Sequence, residues 1–153
     1  MAQLICEVGF PPSDLTITGS VHFVEQFGGA APQGQLPFNI IQEDQDLIVR
    51  FNCQCFGNLV GFLYGHWHLG VHFERIGPGP DPASLTWTGT NGLLAPGQVQ
   101  DIVIPASHIP TQLQGQTLYR IVATAVFHRA VAPFGAPIAA FADLGLVQEH
   151  DAG

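Results

Sequence analysis

The stretch Asp46-Leu47-Ile48-Val49-Arg50-Phe51-Asn52-Cys53-Gln54-Cys55-Phe56 decides the fold. Leu47, Val49, Phe51, Cys53 and Cys55 occupy alternate positions, with Arg50, Asn52 and Gln54 between them. Successive side chains on an extended strand point to opposite faces, so this spacing buries one face and leaves the other outside. The same alternation returns on either side of the stretch. Upstream, Ile17, Val21 and Phe23 share one face of a strand over 15–27, and His22 lies on the other. Downstream, Trp67, Leu69, Val71 and Phe73 line a strand over 66–76. Tyr119, Ile121, Ala123, Ala125 and Phe127 line a long one over 117–129, with Arg120, Thr124 and His128 opposite. No stretch carries the 3.6-residue apolar period of an amphipathic helix.

Shorter runs at 4–8, 38–41, 85–88, 99–104 and 144–148 complete the set. The 18 glycines and 12 prolines cluster between the runs, as in 28–37 and 77–82. Gly57-Asn58 predicts a two-residue hairpin returning through Leu59 to Leu63. The expected fold is all-β: a single-domain antiparallel β-sandwich over residues 1–153, of about eight to ten strands. A β-barrel or jelly roll is the alternative.

The surface chemistry is unusual. The chain has no lysine, and its four arginines face twelve carboxylates, for a formal charge of −8. Charged residues are 10% of the total, against about 25% in ordinary soluble domains. With 46% apolar residues and a mean hydropathy of +0.25, much of the exterior has to be neutral or apolar. Such a surface is expected to be covered by identical subunits, a partner or a ligand. Four scattered arginines make no basic stripe, which excludes binding to nucleic-acid backbones or to anionic membranes. Seven histidines outnumber the arginines and make the charge sensitive to mild acid.

The segment 130–142 (AVAPFGAPIAAFA) is apolar, but Pro133 and Pro137 prevent it from being a central strand throughout. It reads as a loop packed over one end of the sandwich, or as an arm docked on a neighbouring subunit. Pro133, Phe134, Pro137, Ile138 and Phe141 are the candidate interface residues there, joined by His72. The three cysteines are odd in number, and Cys53 and Cys55, two apart on one strand face, read as small, reduced core residues rather than metal ligands or a disulfide.

The chemically suggestive segment is Gly65-His66-Trp67-His68-Leu69-Gly70-Val71-His72-Phe73-Glu74. His66, His68, His72 and Glu74 share one parity and therefore one strand face. Residues i and i+2 are about 6.6 Å apart along a strand, so two imidazoles at that spacing can converge on one metal. His72 is roughly 13 Å beyond His68 and joins only if Gly70 forms a bulge. The order Gly, His-x-His, Glu resembles the first motif of cupin barrels. Here Gly61 is five residues before His66 and Glu74 is six after His68, each one residue off that pattern. The second cupin motif has no counterpart, because His108 lies too far beyond Pro96-Gly97. The resemblance covers roughly 20 residues and implies one divalent transition metal held by His66, His68 and Glu74. Elsewhere, Glu43, Asp44 and Asp46 offer oxygens to calcium or form a solvated turn. Glu74 and Arg75 are candidates to pair with Arg50 or Asp101. Neither G-x-S-x-G nor a phosphate-cradling lysine loop occurs.

The expected function is that of a non-enzymatic, structural, self-assembling subunit, a homo-oligomer or an assembly partner, with no cofactor. The alternatives are a small-ligand or carbohydrate-binding module, with Tyr64, Trp67 and Trp87 as stacking platforms, or a cupin-like metal enzyme using His66 and His68. Met1 to Glu7 lack a basic and apolar leader, so the chain is expected to be cytoplasmic at synthesis, with later release or export left open.

Overall fold

A computed structural model describes residues 2–7, 10–25, 40–42, 46–60, 65–89, 99–105, 108, 117–129 and 138–150. These form ten strands: β1 (Ala2–Gln3), β2 (Ile5–Glu7), β3 (Thr16–Glu25), β4 (Ile40–Gln42), β5 (Leu47–Phe56), β6 (Gly65–Ile76), β7 (Leu85–Gly89), β8 (Gln100–Ile104), β9 (Thr117–Arg129) and β10 (Ile138–His150). They make two sheets. The four-stranded sheet has the order β1-β3-β5-β8; the six-stranded one has β2-β10-β9-β6-β7, with β4 also paired to β10. Every pairing is antiparallel except that of β4 with β10. The fold is therefore a β-sandwich, as the alternation requires. No helix among the described residues is long and apolar enough to cross a membrane.

The core lies between the sheets. Val49, Phe51 and Cys53 of β5 face Trp67, Leu69, Val71, Ile121, Ala123 and Phe127 of β6 and β9. Trp67 and Phe127 pack at a tilt of 51° with ring centres 5.2 Å apart. Each fully buried large apolar side chain contributes about 1.5–3 kcal/mol, so the paired alternation of β5, β6 and β9 supplies much of the driving force. The N-terminal segment ties the two layers. β1 joins the four-stranded sheet and β2 the six-stranded one, and buried Leu4 between them donates its N–H to Gly19 O at 3.0 Å.

Two local expectations are corrected. Gly57-Asn58 is not a hairpin, because β5 and β6 belong to different sheets. Gly57 does take φ +121°, but no non-glycine among the described residues has positive φ, so Asn58 lacks the conformation the hairpin needs. The turn is held instead by Leu59 N–H donating to Asp14 O at 2.9 Å. The second correction concerns 138–142, which is strand rather than loop or arm. Ile138, Ala140 and Ala142 face the core, while Phe141 faces out. Val147 also faces the core, an odd number of residues beyond Ala142, because a bulge at Asp143/Gly145 resets the parity. Gly145 takes φ +82° there, and its N–H donates to Asp143 Oδ1 at 2.9 Å.

Candidate functional site

Burying the odd-numbered residues of β6 forces its even-numbered ones outward, onto the outer face of the six-stranded sheet. Register then assembles rows across this face. His66 lies opposite His128, His68 opposite Val126 and Thr88, Gly70 opposite Thr124 and Thr86, His72 opposite Val122, and Glu74 opposite Arg120. On the far side, β10 adds Phe141 opposite Thr124 and Leu146 opposite Arg120, and β2 adds Ile5 opposite Phe141.

The centre of the face is a clasp. His72 Nδ1 lies 2.9 Å from Ser84 Oγ, and its Nε2 lies 2.8 Å from Thr124 Oγ1. A hydroxyl donates or accepts, so a neutral ring finds a donor for one nitrogen and an acceptor for the other. Gly70 makes this possible. A Cβ at Gly70 would sit 2.7 Å from His72 Nε2 and 2.8 Å from Thr124 Oγ1, where the ring now folds back along the strand. The glycine opens space for the ring rather than a bulge. No carboxylate supports His72 in these contacts, so the Ser84–His72–Thr124 arrangement fixes a ring and does not build an activated nucleophile.

Toward one end of the face, exposed His68 and His128 meet edge to face, with ring centres 4.4 Å apart and planes at 71°. Thr88 Oγ1 lies 3.2 Å from His68 Nδ1. Toward the other end, Arg120 Nε and Nη2 both donate to Asp143 Oδ2. That guanidinium, together with the Gly145 amide, holds the Asp143 carboxyl below its ordinary range. The face is also apolar. Ile5 (57% exposed), Ile76 (47%), Phe141 (43%) and Leu146 (50%) all belong to it, four of the eight large apolar side chains exposed among the described residues.

His66, His68 and Glu74 all reach this face, but as ligands they are not brought together. His68 meets His128, and Glu74 is set opposite Arg120. Among the described residues, no group of three or more His, Cys, Asp or Glu is placed to hold a metal ion. Of the interface candidates, Phe141 is exposed, His72 is half-buried in its clasp, and Ile138 is 1% exposed inside the core. Pro133, Phe134 and Pro137 lie outside the described residues, as do Glu43, Asp44 and Tyr64. Trp67 is a core residue and Trp87 is half-buried. Burial pushes the Cys53 thiol up to about 12 and Cys55 up to about 11, as reduced core residues require.

The outer face of the four-stranded sheet is built differently. His22, Arg50 and Asp101 form one row across β3, β5 and β8. Arg50 Nε and Nη2 donate to the two Asp101 oxygens at 2.8 and 2.9 Å, so Arg50 and Asp101 pair with each other rather than with Glu74 or Arg75. Sequence reasoning missed His128, Thr88, Ser84 and Thr124 as partners. The outward parity of His128 and Thr124 was visible; the strand they would meet was not. No protein-family model matches the chain, and no curated protein or solved structure matches it.

Proposed function

We propose that the chain is a structural, self-associating β-sandwich subunit, and that a second copy covers the outer face of its six-stranded sheet. The observation that carries this reading is the concentration of exposed apolar side chains there: Ile5, Ile76, Phe141 and Leu146 against Phe56 and Val103 on the opposite sheet. A second copy is the fitting occupant. Arg120 already neutralises Asp143 within the face, and its hydroxyls and imidazoles donate and accept alike, so the surface is complementary to itself about a two-fold axis. Five strands about 4.8 Å apart, ranging from three to 13 residues and averaging about nine, give on the order of 700 Å². That is close to the about 800 Å² per partner of a stable interface. A chain without lysine also lacks a charge that interface cores exclude.

Light scattering coupled to size exclusion tests this. The chain is expected to elute as a dimer or larger assembly, and Phe141→Asp or Ile5→Asp to shift it to monomer with its circular dichroism unchanged. Val103→Asp, on the opposite sheet, is expected to leave the mass alone. A monomeric parent at high micromolar concentration sinks the reading, and so does an assembly that only Val103→Asp dissolves.

A further inference from the structure

We infer that His68 and His128 form a surface site for a divalent transition metal ion of the zinc, copper or nickel class. The two imidazoles sit on adjacent strands, diagonal to each other in the antiparallel register, where long side chains reach one another. Both are exposed in the single chain and lie toward one end of the face, so water, or a side chain of a second copy where one covers the face, completes the coordination, and rotation of either ring is unhindered by the core. Two imidazoles sharing a tetrahedral ion through bonds of about 2.0–2.1 Å have ring centres roughly 5 Å apart. The observed contact sets one ring's edge against the other's face at 4.4 Å, so binding needs a small opening of the pair and a turn of one exposed ring to bring both nitrogens to a common point.

Thr88 supports the same assignment. Its hydroxyl lies 3.2 Å from His68 Nδ1, and the second nitrogen of a metal-binding imidazole is usually held by a hydrogen bond, which leaves Nε2 as the coordinating atom. Imidazole pairs prefer zinc, copper and nickel over calcium or magnesium, which take oxygen ligands. The ligand set therefore differs from the one expected from strand spacing: His128 from β9 replaces His66 and Glu74 of β6. His66 lies opposite His128 in register but makes no ring contact with it among the described residues.

The site stands on these two rings alone and does not require the self-association proposed above. Native mass spectrometry of the whole chain with zinc or nickel chloride reads both properties in one spectrum, with titration calorimetry giving the affinity. One ion per chain is expected. His68→Ala and His128→Ala are each expected to weaken binding by at least about tenfold. His66→Ala and Glu74→Gln are expected to leave it within about threefold. All four residues are exposed, and unchanged circular dichroism confirms that each variant folds. A parent chain that takes up no more metal than the His68→Ala/His128→Ala double variant overturns the proposal. Affinity that follows His66 and Glu74 instead overturns it equally. A metal-loaded monomer supports this site while counting against self-association, and a metal-free dimer does the reverse.

Discussion

The middles of the two outer faces each carry a histidine, and the fold treats them in opposite ways. On the six-stranded sheet His72 has a hydroxyl at each ring nitrogen, and a glycine beneath it leaves room for the ring. On the four-stranded sheet His22 shares a row with Arg50 and Asp101, which are committed to each other, and its buried Nδ1 has no partner among the described residues. Strand alternation places both rings on the outside. What differs is the company that register brings to each: hydroxyls from neighbouring strands in one case, a closed ion pair in the other. A strand's periodicity thus determines a face, and the pairing of strands distant in sequence determines the chemistry on it.

The largest expected effect comes from breaking the ion pair. Arg50 and Asp101 are 28% and 31% exposed and joined by two parallel hydrogen bonds. Asp101→Ala leaves a half-buried guanidinium unpaired. Solvent screening reduces the loss below that of a fully buried pair, to about 2 kcal/mol. For a chain of this length that lowers Tm by about 4–8 °C. The urea midpoint of Asp101→Ala against the parent checks it. An unchanged midpoint would mean that the row holds nothing together and that the contrast between the two faces is only one of composition.

A smaller effect, with a change of sign, is expected at the clasp. Gly70→Ala drives the His72 ring off Thr124 and is expected to cost about 1 kcal/mol in lost hydrogen bonding. In a His72→Ala background the nearer obstacle is gone, and Thr124 Oγ1, no longer bound to the ring, can turn off its 2.8 Å approach to the new Cβ. There the same substitution is expected to stabilise the chain by about 0.5 kcal/mol, since alanine suits a strand interior better than glycine. Denaturant melts of the four chains close the double-mutant cycle. If Gly70→Ala has the same sign in both backgrounds, the glycine is not there for the ring.

The same distinction explains what was legible in advance. The strand over 47–56 and the strand faces over 66–76 and 117–129 stand where spacing puts them, because a mixed sequence of large apolar and polar residues leaves one way to bury the apolar set. The start of β10 was not legible: with Ala139, Ala140 and Ala142 on both faces, small side chains hide the alternation, and the bulge at Gly145 breaks what remains. Gly57-Asn58 marks a real turn, but local turn chemistry does not say whether the next strand returns to the same sheet or crosses to the other. The candidate ligands failed in a related way. His66, His68 and Glu74 share a face by parity, yet the ring that reaches His68 comes from a strand about sixty residues further along the chain.

The smallest and most specific prediction returns to His22. Burial, followed by the charge of Arg50 and the N-terminal amine, holds its pKa below the ordinary value, against the opposing pull of Asp101. In the unfolded chain the imidazole titrates near its ordinary value of about 6.5. As pH falls through that value, the unfolded state takes up a proton that the folded state resists. Stability therefore falls with pH, beginning near the unfolded pKa and continuing until the folded ring also titrates. His22→Gln keeps a polar side chain in the row and removes the titration. The parent's urea midpoint is expected to drop between about pH 7.5 and pH 5 more steeply than that of His22→Gln. The Asp143 carboxyl, also held below its ordinary range, contributes only at lower pH: its stabilisation is present above the unfolded carboxyl value and lost as pH falls through the folded one. Asp143 is the same in both chains, so the difference between parent and variant belongs to His22. Parallel pH profiles would show that Nδ1 finds a partner in solution, and the two histidines would then differ in their neighbours but not in how well those neighbours satisfy them.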